Sequence, residues 1–276
     1  MATMTAEEIA KLVAQGGPVD LSGKDLAGIN LLGASLKFIK FRQTNLSRSN
    51  CTDADFTGSD LTEATLVKAS LDGANLTEAT MVRASVKGAN LERATLEFCD
   101  LNGADFEEAK MSGAFLVRCT SSRAIFSKAC LGVAKLVESA FIRADFRDAD
   151  LTDADLSSSV FSKSSFDRAR LDFVFADRTA FVNVQAREAR MRNARLMNST
   201  FQGSDLSGAD LISASLENAN LRETKLSGVA LSQASLHGAD LTDCDLSRTI
   251  LDGARYDQRT IWPESFDPIA AGAHPE

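Results

Sequence analysis

Two histidines, five cysteines and 38 carboxylates are the groups from which this 276-residue chain could build a reactive centre. His237 and His274 are the only histidines, and neither has a companion spaced for a nucleophilic triad or a metal site. Cys99 and Cys119 lie twenty residues apart, and a redox pair is conceivable at that spacing; the alternative is two reduced thiols in a core. Cys51, Cys130 and Cys244 share no such relation. None of the glycines precedes a helix in the manner of a phosphate loop. The carboxylates are so frequent that proximity between two of them selects no acid–base pair. The sequence therefore predicts no catalytic residue, no metal site and no cofactor, and the chain does not read as an enzyme.

Composition narrows the remaining classes. The formal net charge is −8 and the pI is near 5.0, which argues against general affinity for nucleic acid or an anionic membrane. No stretch approaches the eighteen apolar residues of a membrane span, and Met1–Glu8 lacks the basic and apolar regions of a signal peptide. An odd number of cysteines without framework spacing fits a reducing compartment, so the expected location is cytoplasmic.

What could position side chains here is a repeat. Ala54-Asp55-Phe56-Thr57-Gly58, Ala74-Asn75-Leu76-Thr77-Glu78 and Ala149-Asp150-Leu151-Thr152-Asp153 share one pattern. Large apolar residues occupy every fifth position from Leu21 to Tyr256, 48 centres without an insertion or deletion. Of these, 29 are Leu and ten are Phe, and the residue two before the centre is Ala 27 times. Ser121, Ala176 and Ala186 are small exceptions among the centres. A period of five matches neither helix nor strand; it fits a chain that turns a corner every five residues, one large and one small side chain inward. Stacked turns bury what a single turn cannot.

The A-(D/N)-L-X-X pattern over residues 19–258 resembles the pentapeptide-repeat family, and the ending Tyr256-Asp257 with Trp262-Pro263 is similar to that of many bacterial, notably cyanobacterial, members. The resemblance implies an all-β fold, a right-handed quadrilateral β-helix of about twelve coils with twenty residues in each. Thr5 followed by Glu8 is a capping-box signature for a short N-terminal helix, about Ala6 to Ala14, stopped at Gly16-Gly17-Pro18. The expected organisation is a cap over 1–18, the β-helix over 19–258, and a C-terminal cap and tail over 259–276. Lys24, Ile29 and Ile39 stand at inward positions of the first coils, and Ile261-Trp262-Pro263 with Phe266 is expected to lie across the last coil.

With twenty residues per coil, each outward position becomes a vertical column. Glu108, Lys128, Asp148, Arg168 and Glu188 alternate in sign, as do Lys87 with Glu107 and Arg147, Asp167 with Arg187. Such ladders satisfy themselves. The face centred on 121, 141, 161 and 181 differs: Arg123, Arg143 and Lys163 stack, with Arg83 across a gap at Gly103. Ile142, Val160 and Val182 stand beside them with Ala140 and Ala180, and no acid is outward there between Ser121 and Phe181. This is the first candidate surface, suited to an acidic protein partner with apolar anchors; an ordinary solvated face is the alternative. Phe98, Phe115, Val117 and Phe175 form a second patch, with Phe38, Phe173 and Val137 as further outward apolar residues. Phe175 is open to a second reading, turned inward beside the small centre Ala176.

A rigid scaffold for protein–protein interaction is the function these features favour, as monomer or dimer, with no direct nucleic-acid or membrane contact. The resemblance implies two alternatives. Some family members mimic double-stranded DNA and bind topoisomerases such as DNA gyrase, conferring quinolone resistance; others regulate a transcription factor. Outward charges sum to about 0, −1, −3 and −2 on the four faces, so no face here is strongly acidic. The chain also lacks the loops that often interrupt the protective members.

Overall fold

Five backbone amides per repeat need five acceptors, and their distribution explains the fold. In the computed structural model, which describes residues 4–276, the repeat centred on Leu76 is representative. The Leu76 and Glu78 amides donate to the carbonyls of Thr95 and Glu97 in the following coil, at 2.7 and 2.8 Å. The Ala79 amide closes the corner onto the Leu76 carbonyl at 2.9 Å, and the Thr80 amide donates back to Ser59 at 2.9 Å. Only the Thr77 amide lacks a backbone partner; the Asn75 side chain accepts it at 3.0 Å. Asp and Asn recur one residue before the centre because they satisfy this last donor.

Within both parts of the chain the residue before most centres pairs in parallel with the one twenty positions later, as in Asn50 with Ser70 and Asp150 with Arg170. A coil thus takes twenty residues and four corners, and the fold is a β-helical solenoid. The chain divides into two compact units, Met1–Ala140 and Phe141–Glu276. In both, nearly all the centres are buried with the small residues two positions earlier; Leu246 and Tyr256, near the C-terminal end, are half-buried. Where that small residue is polar, its side chain commonly donates to a centre's carbonyl 23 residues earlier: Thr44 to Leu21 at 2.8 Å, Ser59 to Leu36 at 2.7 Å, Thr224 to Phe201 at 2.9 Å; Ser199 bonds Leu196 in its own coil instead. A hydroxyl is tolerated inside because one carbonyl is always in reach.

The residue two after each centre, from Gly23 to Gly253, has φ between +52° and +70°, as the third position of a type II turn requires. Most of these residues are not glycine, so the stack imposes the left-handed conformation on side chains that resist it. Val133 is the worst suited, β-branched at φ +52° and 60% exposed. Val133→Asn is therefore expected to raise the stability of the first unit by about 1 kcal/mol, read from a denaturant midpoint. An unchanged or lowered midpoint would show that the corner carries no strain.

Both ends are covered. Helix α1 spans Ala6–Ala14, with Thr5 and Glu8 making reciprocal capping-box bonds, and it buries Ile9. The first coil is looser than its sequence suggests: Ile39 is buried, Ile29 half-buried and Lys24 exposed. Among the described residues no earlier coil lies over Lys24, which stays exposed to water. At the other end β1 (Arg255–Tyr256) pairs in parallel with β2 (His274–Pro275). Trp262 meets Tyr256 edge-on at 5.4 Å and stacks on Phe266 at 5.3 Å. Ile261 does not join this cover. The last segment holds one extra residue, Ile261 bridges Asp240 at a spacing of 21, and its side chain points outward.

Candidate protein-interaction surfaces

Charge ladders occupy much of the outer wall in both units. In the first, Lys87 lies 3.0 and 3.1 Å from Asp105 and Glu107, Lys128 is 3.7 Å from Glu108, and Arg118 is 2.7 Å from Glu138. In the second, Arg168 makes two bonds of 2.8 Å to Asp148, and Arg187 bonds Asp167 at 2.6 Å. Arg147 turns instead to Asp145, two residues away. Long guanidinium side chains also reach diagonally, Arg190 to Asp172 at 2.8 Å and Arg195 to Asp177 at 2.7 Å, both 18 residues apart. Exposed pairs of this kind contribute about 0–1 kcal/mol each.

Several carboxylates titrate below their ordinary range. Partial burial pushes Asp167 up, but bonds from the Arg187 guanidinium and amide outweigh it and hold the group down. For Asp60, Thr62 and Arg42 overcome the same desolvation, and for Asp240, Thr242 and Arg222 do so. A folded-state value below the unfolded one of about 3.9 gives stability present above that pH and lost as pH falls through the folded value. The melting temperature is therefore expected to decline with acidification below about pH 4. A curve level down to pH 2 would contradict these assignments.

The face centred on 141, 161 and 181 in the second unit lacks such compensation. Arg143 and Lys163 are exposed on adjacent rungs, their amides donating to Ser162 and Val182 at 3.0 and 2.9 Å. Neither forms an ion pair among the described residues. Ile142 and Val160 are 39% and 37% exposed, and Val182 is half-buried. Arg178, which the column reading passed over, is exposed and unpaired at the corner before Ala180. Arg123 belongs to the first unit, exposed and also without an ion pair. Arg83 does not continue its column as a free cation, because Glu63 lies 3.1 Å away.

The aromatic residues fall into separate units. Phe98, Phe115 and Val117 are in the first: Phe98 is exposed, Phe115 and Val117 half-buried. Arg118 lies 5.7 Å from the Phe98 ring and Lys135 5.5 Å from Phe115. Phe175, in the second unit, is 41% exposed under Arg195 at 5.4 Å. It does not turn inward beside Ala176. Val174 and Val184, both fully buried where Ala is usual, stand two residues before the small centres Ala176 and Ala186. These three rings are thus each covered by the cation one coil on, twenty residues later, whereas Phe38 and Phe173 stand exposed with Gly58 and Asn193 at that position. A cation over the ring leaves less of it for a partner than sequence position implies.

His237 has companions that spacing did not reveal. Its Nδ1 lies 2.8 Å from Ser235 Oγ and its Nε2 3.1 Å from Glu276 Oε2. Ser235 is buried in the coil wall, so this hydroxyl–imidazole–carboxylate chain ties the C-terminal segment down. Cys99 and Cys119 are buried and reduced, each thiol donating to a backbone carbonyl, of Leu76 at 2.9 Å and Leu96 at 2.8 Å. The bond with Cys119 and burial hold the Cys99 thiol well above its ordinary range, away from the reactive thiolate. Cys130 is exposed. Among the described residues no cluster of three or more His, Cys, Asp or Glu could hold a metal, and no helix is long and apolar enough to cross a membrane.

With this geometry in hand, comparison with known proteins is decisive on one point. The family pattern described as Pentapeptide repeats matches in eight copies, over 19–48, 49–88, 89–127, 139–173, 180–218 and 214–253. The chain belongs to the pentapeptide-repeat family. Among solved pentapeptide-repeat structures, HetL, involved in heterocyst differentiation regulation in the cyanobacterium Nostoc sp. strain PCC 7120, is 30% identical. That match covers 86% of this chain and 96% of HetL, with a TM-score of 0.43. Full-length QnrB1, a plasmid-mediated fluoroquinolone resistance protein, is 17% identical over 87% of this chain and 92% of its own, with a TM-score of 0.33. The curated proteins contain no match.

Proposed function

We propose that this pentapeptide-repeat protein is a non-enzymatic scaffold whose second unit docks an acidic protein partner on the face centred on 141, 161 and 181. One observation carries the reading. Arg143 and Lys163 stack on adjacent rungs without an acid, in a wall where most cations are paired, and exposed Ile142 and Val160 stand beside them. Like charges at rung spacing repel, and a carboxylate-bearing partner relieves that repulsion while the aliphatic side chains are covered. Val182, half-buried in the same unit, is included as an outlying contact. The finer architecture proposed with it is a right-handed, four-sided coil of about twelve turns, capped over 1–18 and 259–276, in a reducing cytoplasm. Kinship with HetL at 30% identity favours a regulatory role over a catalytic one.

Arg143→Glu with Lys163→Glu is expected to abolish partner capture and to leave the melting temperature within a few degrees of wild type, because unpaired exposed cations contribute little to the fold. Recovery of the same partners by the double variant would remove this face from consideration.

A further inference from the structure

The spacing of the face restricts the shape of what it binds. Its inward side records the rise directly: Phe141, Phe161, Phe181 and Phe201 stack with ring centroids 5.0, 5.4 and 4.8 Å apart. Outward groups on the same rungs repeat at the same interval, so Arg143 and Lys163 offer two cations one rung apart. Ile142 lies on the first rung, Val160 on the second, and Ala180 with Val182 on the third. A partner running across the rungs needs a carboxylate about every 5 Å.

An extended strand laid across the rungs presents same-side residues every 6.7 Å or so, and loses register within two rungs. An α-helix advances about 5.4 Å per turn, and residues three or four apart share one stripe. Only the helix keeps its carboxylates and its aliphatic side chains in step with the rungs.

Resting on the reading of this face as a docking surface, we infer that its ligand is an amphipathic α-helix lying across the rungs, with a Glu/Asp stripe at i, i+3 or i+4 over Arg143 and Lys163 and aliphatic residues beside it over Ile142, Val160 and Val182. Charge complementarity selects the acidic stripe. The rise selects the helix.

The test uses the full-length chain and a fluorescent, capped, alanine-based peptide of about 20 residues carrying a Glu stripe flanked by Leu. A second peptide has the same composition in the same order except for two central prolines, which forbid the helix. The helical peptide is expected to bind about tenfold tighter, a difference that disappears in the Arg143→Glu, Lys163→Glu variant. If both peptides bind equally and both are lost on charge reversal, the helix is wrong and the docking face stands. If binding ignores the charge reversal, or the helical peptide does not bind at millimolar concentration, the inference is overturned.

Discussion

Phe161→Ala is expected to cost the second unit about 3–5 kcal/mol. The Phe161 ring is fully buried between Phe141 at 5.0 Å and Phe181 at 5.4 Å, with Phe146 and Phe166 edge-on at 5.6 and 5.3 Å. Truncation removes its transfer free energy and leaves a cavity that hydrogen-bonded coils above and below cannot close, because the rung spacing is fixed by backbone bonds. The lone Trp262, packed on Tyr256 and Phe266 in the same unit, reports the transition by fluorescence. A shift below about 1 kcal/mol would mean that the aromatic stack is loosely packed.

The second large effect is a coupling. Val174 and Ala176 exchange the usual sizes of their positions, and both are fully buried. Val174→Ala alone opens a cavity, and Ala176→Leu alone overpacks against the valine; each is expected to cost about 1–3 kcal/mol. The double variant restores the small-then-large order of the neighbouring repeats and is expected to be close to neutral. The cycle therefore yields an interaction energy of at least about 2 kcal/mol, the sum of the two single costs. Simple additivity of the two losses would show that the valine does not occupy the space left by the small centre.

Much of this was readable from residues alone, for a physical reason. An unbroken period of five lets one phase assign every inward and outward position, and burial follows that phase at Leu76, Leu151 and Phe161 alike. What phase cannot supply is side-chain reach. Columns of twenty anticipated Asp148 with Arg168, but Arg190 chose Asp172 and Arg195 chose Asp177 on the diagonal, because an arginine spans more than one rung. The same reach lays Arg118 and Lys135 over the outward rings. The pairing of the small centres Ala176 and Ala186 with Val174 and Val184 was present in the sequence, a size exchange two residues apart that a search for large centres overlooks. His237 with Glu276 lay beyond reading, since the tail past the last repeat has no register to count from. The first candidate face keeps its exposed residues in the second unit, where Arg178 adds a cation at its border.

The docking claim is tested most directly by placing a photo-crosslinking amino acid at Ser162, between Ile142 and Val182 and beside Lys163, and a control at Thr152, two corners away on the opposite side of the coil in the same unit. Irradiation in cells is expected to join one acidic protein to the Ser162 position, to give no such product from Thr152, and to lose the product when Arg143 and Lys163 are changed to Glu. Equal labelling from both positions, or a Ser162 product that survives the charge reversal, would contradict it.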